Sequence, residues 1–267
     1  QGNWENAARS AGNLSDLWLS RGELRQALAY ARQGVDLADR SRSIYQRLSR
    51  RATLGYALFH LGCLPEAEAA FREAEAMQAR LEPEFPLLYS LAGFRYAELL
   101  LAQGRHAEAR RRLERIMQWR IPDEFPFVVA LKHLGLGLAC LEQARQEDGG
   151  DYTAAARHLE QAVVDLRLAG QQDELPRGLL ARARLRRLSG EMVWARADLD
   201  EAMTIAGRAG LKLHQFSGHL EYARWCLAAG RRAAAREHWT AARRLAEALG
   251  YRLRDDELRE LAGHFRP

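Results

Sequence analysis

The chain has 267 residues, 48% of them hydrophobic, enough to bury a large core. Its 40 basic and 35 acidic residues leave a net charge of +5, interspersed along the chain instead of gathered in a basic tail, which speaks against nucleic acid as the main partner. Cys63, Cys140 and Cys226 are odd in number, far apart and without CxxC spacing, so neither a disulfide framework nor a zinc site is indicated and buried free thiols are expected.

Taken in order, the apolar spacing predicts a helix over residues 4–20 and a second over 24–39, with the charged run RSRS as connector. The next helix starts near Ile44, runs to about Leu61 and carries Leu48, Leu54, Leu58 and Phe59; its partner starts at Pro65, where the missing N–H costs nothing. Pro86, Pro126 and Pro176, in EFPLLYS, EFPFVVA and ELPRGLL, are each read as a helix start, because proline suits a first turn and pushes the residue before it out of helical geometry. Helical pairs are therefore expected over 86–119, 126–168, 176–208 and 214–249, followed by a short polar helix over 254–263 that covers the last apolar face.

A repeat underlies these elements. Gly22, Gly62, Gly104, Gly150, Gly190 and Gly230 are spaced 40, 42, 46, 40 and 40 residues apart, and each has alanine at the fifth place after it. Small or apolar residues follow at the ninth and twelfth places, as in Gly62, Ala67, Phe71 and Ala74, or Gly104, Ala109, Leu113 and Ile116. Offsets separated by four and three residues line one helix face. The glycine marks the turn before that helix, since a left-handed C-cap penalises any residue with a Cβ. Seven places before the glycine a small residue recurs at Ser15, Gly55, Ala97, Ala183 and Ala223; in the fourth repeat Gly137 fits if six residues, roughly ARQEDG, lengthen the turn.

The pattern resembles the tetratricopeptide repeat, in which small residues flank close helix crossings, although the period here is about 40 where that repeat has roughly 34. The resemblance covers essentially the whole chain and implies an all-α fold: a right-handed TPR-like superhelix, or α-solenoid, of about six helix-turn-helix repeats plus a C-terminal capping helix. The boundaries expected for this single repeat domain are 1–43, 44–83, 84–123, 124–172, 173–211 and 212–250, with the cap at 251–267. Longer repeats of this kind look like the C-terminal sensor arrays of STAND-class signalling ATPases, which include the maltose-responsive regulator of bacteria and NLR-like defence proteins. That likeness implies an interaction domain that binds a protein, peptide or other ligand and relieves autoinhibition of an NTPase and effector on the same chain.

Chemistry for catalysis is not apparent in the residues. Gly135 and Gly137 lie inside a helical pattern and no GxxxxGK[ST] occurs. His214 and His219 are five apart, on different helix faces, and the other histidines look scattered, so no metal or cofactor is expected. Trp18, Trp225 and Trp239 fall on apolar columns and are read as core; Tyr89, Phe94 and Tyr96 are weighed as a ligand pocket or as packing, and Arg110, Arg111 and Arg112 as a solvated outer face.

What remains is the inner wall made by the first helix of each repeat. The places beside the small column offer Asn13, Asp16, Thr53, Tyr56, Arg95, Glu98, Arg184, Arg187, Glu221 and Arg224 as the partner-binding set. Arginines suit carboxylates, the acids suit basic side chains, and Tyr56 offers apolar contact. The same residues could instead pair with one another, Arg95 with Glu98 or Glu221 with Arg224, three apart on a helix. Only Lys132 and Lys212 are lysines, so arginine carries nearly all the positive charge. Two other readings stand behind the sensor: a free-standing TPR scaffold or peptide-receptor regulator, and RNA binding through an arginine-lined groove.

No apolar run approaches the roughly 18 residues that cross a bilayer, and QGNWENAARS lacks the basic-then-apolar order of a signal peptide. A cytoplasmic location without membrane contact is therefore expected. A start at Gln1 instead of methionine leads to the expectation of a piece of a longer polypeptide.

Overall fold

The computed structural model describes residues 2–119, 124–147 and 150–265, and among these there are 13 α-helices and no strand. The fold is all-α and of the α-solenoid class: consecutive helices pair as hairpins, and within each of two compact units each hairpin packs on the next. The chain forms two compact units, Gln1–Glu124 and Phe125–Pro267.

The first unit holds α1 (Gly2–Ser20), α2 (Leu24–Arg40), α3 (Ile44–His60), α4 (Leu64–Leu81), α5 (Ser90–Ala102) and α6 (His106–Gln118). In the α3–α4 hairpin the small column of the first helix meets the bulky column of the second. A Cβ on Gly55 would come 3.0 Å from the ring of Phe71, which is fully buried, so only glycine lets α3 and α4 approach this closely. The RSRS connector is built from its two serines: Ser41 Oγ donates to the Ala38 carbonyl at 2.7 Å, and Ser43 caps α3 by accepting from the Gln46 amide at 3.3 Å.

One expected start is displaced. Pro86 does not open α5, which begins four residues later at Ser90. The intervening segment is held against α4 instead: the Leu88 amide donates to Glu75 at 2.9 Å, Gln78 donates to the Phe85 carbonyl at 3.2 Å, and the Tyr89 hydroxyl donates to Glu82 at 2.9 Å. Those bonds outweigh the local preference of proline for a first turn, and the chain re-enters the helix through Ser90 in the left-handed region, at φ 53°.

The second unit holds α7 (Pro126–Gln146), α8 (Thr153–Leu168), α9 (Leu175–Leu188), α10 (Met192–Arg208), α11 (Lys212–Ala228), α12 (Arg232–Leu249) and α13 (Asp255–Gly263). Pro126 begins α7, and Pro176 sits in the first turn of α9. The six extra residues of the fourth repeat do not simply lengthen a turn. Ala144, Arg145 and Gln146 extend α7, Glu147 ends it, and residues 148 and 149 lie outside the described residues. Gly150, accordingly, is the one repeat glycine without a positive φ.

Left-handed glycines punctuate the second unit more densely than the sequence period implied. Gly170, Gly190, Gly210, Gly230 and Gly250 all have positive φ, so the turns between hairpins are closed like those within them. At each, the following amide reaches back to the fourth residue before the glycine, as Leu211 does to the Ala206 carbonyl at 2.9 Å and Arg231 to Cys226 at 2.8 Å.

Helix α7 departs from the expectation about apolar runs. It is long and apolar enough to cross a membrane, with a mean hydropathy of 1.3 over its best window, but 67% of that window is buried inside the protein. Its apolar face is thereby explained as core: Leu131, Leu134, Ala139 and Leu141 pack inward, and a Cβ on Gly137 would stand 2.6 Å from Leu159 of α8.

Candidate ligand-binding faces

First helices of neighbouring hairpins touch one another, α1 with α3 and α3 with α5 in the first unit, and α7 with α9, α9 with α11 and α11 with α13 in the second. Side chains beside the small columns are thus brought together from helices that are distant in sequence.

In the first unit this face carries Asp16, Tyr56, Arg95 and Glu98. Arg95 Nη2 donates to Asp16 Oδ1 at 2.8 Å, its guanidinium lies 4.4 Å from the centroid of the Tyr56 ring, and the Tyr56 hydroxyl donates to Glu98 at 3.2 Å. Asn13 is exposed nearby on α1. Thr53 is buried and turned to its own helix, its hydroxyl donating to the Ser49 carbonyl at 3.2 Å. A residue that spacing did not single out, Arg50, belongs here: its guanidinium fills the place where a Cβ on Gly12 would be and donates to the Arg9 carbonyl at 3.4 Å. Burial lowers its pKa and Arg95 adds to that, against Asp16, while its Nε has no partner.

In the second unit the same face is an arginine–glutamate chain. Arg184 Nη2 stands 2.6 Å from Glu142 Oε1, a charge contact off the line of a hydrogen bond. Arg187 donates to Glu221 at 3.4 Å, and Arg224 joins Glu221 to Glu257, each at 2.5 Å. Arg254 closes the chain by donating to Glu257 and, at 2.9 Å, to Ser217. Burial would raise the Glu221 carboxyl, but Arg224, Arg184 and Arg187 together hold it below its ordinary value. Glu257 is held well below the carboxylate range because Arg254 and Arg224 overcome its burial.

Arg187 is the least satisfied member. Its side chain is 15% exposed, its single bond is long, and its Nε has no partner. Burial lowers its pKa, and Arg224 and Arg184 add to that against Glu221. Five arginines (145, 184, 187, 224 and 254) share three glutamates (142, 221 and 257), which leaves the face with an excess of positive charge.

Spacing gave Arg184, Arg187, Glu221 and Arg224 but not Glu142, Arg254 or Glu257. Glu142 lies on α7, whose register the insertion obscured. Arg254 and Glu257 sit three apart at the start of the capping helix, a pairing signal that reads equally well as a solvated surface pair.

The remaining aromatic and basic candidates are structural. Phe94 is 1% exposed and Tyr96, 3% exposed, stacks on Phe71 at 5.1 Å and 4°, with the Arg112 guanidinium 4.4 Å from its ring centroid. Arg112 is also paired with Glu75, so the Arg110–Arg112 run does not act as one patch. Trp225 is buried; Trp18 and Trp239 are part-buried, the latter donating from Nε1 to the Leu258 carbonyl at 3.0 Å. The histidines are less scattered than their spacing implied: His133 meets His158, and His219 meets His238. Burial pushes His133, His219 and His238 down, His219 to about 4.

No protein-family model matches the chain, and no curated protein sequence matches it. Among solved structures it is similar to a Rap protein complexed with Competence and Sporulation Factor, with a TM-score of 0.72 and 14% identity over 94% of this chain and 67% of that one. It is similar also to PilF of Pseudomonas aeruginosa, with a TM-score of 0.53 and 20% identity over 98% of this chain and 99% of that one. A third is PilW, a type IV pilus biogenesis factor, with a TM-score of 0.51 and 16% identity over 96% and 98% of the two chains. At these identities the likeness is one of fold, the TPR-type helical repeat.

Proposed function

We propose that the chain is a protein- or peptide-binding sensor module that holds its ligand on the first-helix face of the second unit and carries out no chemistry on it. The observation that carries this reading is the under-coordinated, largely buried Arg187 among arginines that outnumber their acids. Covering such a face with a carboxylate-bearing peptide replaces a long hydrogen bond by charge-assisted ones without having to order the arginine first. Supporting it from outside, one structure of similar fold is described as a complex with a factor bound.

Selection of random peptides on the immobilised protein tests this directly. Acidic peptides should be enriched, and their binding should fall at least tenfold in Arg187→Gln, a change that leaves Glu221 paired to Arg224. Enrichment without acidic residues, or unchanged binding by Arg187→Gln, would move the site elsewhere.

The larger context proposed is the cytoplasmic sensor end of a STAND-type signalling or defence protein, in which ligand binding frees an attached NTPase. The repeat period of about forty residues supports a context of that kind. A nucleotide-binding domain in the intact gene is expected. A gene without one would overturn the STAND context and leave the peptide reading as that of a free-standing regulator.

A further inference from the structure

Arg184 and Arg187 stand three residues apart on α9, and neither is well supplied with acceptors. Arg184 approaches Glu142 Oε1 at 2.6 Å off the line of a hydrogen bond, and that oxygen is left without a donor. Arg187 makes one bond, at 3.4 Å to Glu221, and its Nε is buried without a partner. Two other arginines of the same helix are well engaged: Arg182 and Arg186 each bond both Asp198 and Glu160. A guanidinium is a fork of donors with no acceptor of its own, so the Arg184–Arg187 pair is where this helix still has donors to place.

The charges around the pair fall into two groups. Arg145 and Arg184 share Glu142, while Arg187, Arg224 and Arg254 share Glu221 and Glu257, so each group holds one arginine more than it has glutamates. The groups meet at the pair, because Arg184 acts on both Arg187 and Glu221. The side chains of Arg184 and Arg187 are 22% and 15% exposed, which keeps them within reach of solvent while salt screens them little. A carboxylate, with one charge and two oxygens, answers one group. A phosphate monoester carries about −1.5 to −2 at pH 7 together with three acceptor oxygens, which answers both, and the planar fork of arginine fits those oxygens in pairs.

We propose that the peptide held on this face is a phosphorylated one, with the phosphate of a modified serine, threonine or tyrosine seated between Arg184 and Arg187. This rests on the reading of the face as a peptide site and narrows its ligand from acidic to phosphorylated. Glu142 and Glu221 keep part of each guanidinium engaged before a ligand arrives, so much of the ordering of both side chains is complete before binding. The arginines hold Glu221 and Glu257 in their ionised form, so at neutral pH the phosphate meets an excess of positive charge that no proton shift removes.

The test uses the full chain and three peptide libraries with random flanks around a central phosphoserine, glutamate or serine. Sequences retained on the immobilised protein are resynthesised with each of the three central residues, and their affinities are measured by fluorescence anisotropy. The phosphoserine form should bind about tenfold tighter than the glutamate form of the same sequence, and in Arg184→Gln that advantage should fall below about threefold. If the two forms bind alike, the phosphate is overturned while the acidic-peptide reading stands; if no library is retained, both fall. An advantage that survives in Arg184→Gln overturns the seat between the two arginines. Vesicles containing a phosphoinositide that bind the chain when no phosphopeptide does would assign the phosphate to a lipid and overturn the peptide. If Arg184→Gln loses its helical circular dichroism, Arg184→Met decides the same question.

Discussion

Arg95 reaches from α5 past the ring of Tyr56 on α3 to Asp16 on α1, a bond of 2.8 Å between residues 79 apart in sequence. One side chain thus ties together the first helices of three hairpins. Asp16 is 38% exposed and Arg95 only 11%, so screening weakens the ion pair while the stacking on Tyr56 is largely dry. Arg95→Glu should destabilise the chain by about 1–2 kcal/mol, because it loses both contacts and sets a third acid beside Asp16 and Glu98. Adding Asp16→Arg should restore part of that loss. Urea denaturation of the two single variants and the double variant measures the coupling, and strict additivity would show that the pair contributes nothing.

A drier pair lies in the hairpin of α9 and α10. Arg182 donates from Nε to Asp198 at 3.0 Å and from Nη2 at 2.7 Å, with the two side chains 8% and 4% exposed. Burial would lower the pKa of Arg182, but Asp198 and Glu160 raise it. Asp198→Ala should cost about 3–5 kcal/mol, since it strands a buried guanidinium and deprives Arg186 of the same carboxylate. A loss below about 1 kcal/mol in chemical denaturation would mean that Glu160 alone suffices.

How much of this was legible in the sequence follows from what each residue depends on. The hairpins were, because the Ala67–Phe71–Ala74 type of column is a local consequence of helical period and all three side chains are buried. Pro86 was misleading, because the bonds of Glu75, Gln78 and Glu82 that override it come from the preceding helix. The face beside the small columns was named, and of its partnerships only the local one, Arg224 with Glu221, was weighed as it occurs. Arg95 was weighed against Glu98, three residues away, whereas it bonds Asp16 on another hairpin. The histidine pairs show the same limit: each member looks isolated until two helices are set side by side.

Stability should fall in two stages on acidification. His214 has its folded pKa pushed down to about 4 by burial, with Arg177 adding to it against Glu174. From about pH 6.5 downward the unfolded state therefore takes up a proton that the folded state refuses, and stability declines until the pH nears the folded value. Glu257 and Glu221 act below that. Their folded values are depressed, so their stabilisation is complete above about pH 4.3 and is lost as the pH falls beneath it. His219, also pushed down to about 4, and His133 and His238 act in the same window and with the same sign, so His214→Gln should reduce the upper stage without abolishing it, and Glu257→Gln should reduce the lower. A melting temperature that is constant from neutral pH to about pH 5 would contradict the first assignment.

Two glycines of the first unit should respond to alanine for opposite reasons. Gly104 has φ of 74° and nothing within 4 Å of the place of a Cβ, so Gly104→Ala meets only the intrinsic penalty of the left-handed region, about 1 kcal/mol. Gly93 has no such φ, but its Cβ would stand 2.3 Å from the carbonyl oxygen of Leu88, a backbone atom that cannot swing aside like a flexible side chain. Relief would have to come from residues 82–89, which Glu75 and Gln78 hold in place. Gly93→Ala should therefore cost about 1–3 kcal/mol, exceed Gly104→Ala, and raise amide exchange selectively at Leu88. Equal losses, or protection at Leu88 unchanged from wild type, would show that this segment yields and that the close approach of α5 to it is not what requires a glycine.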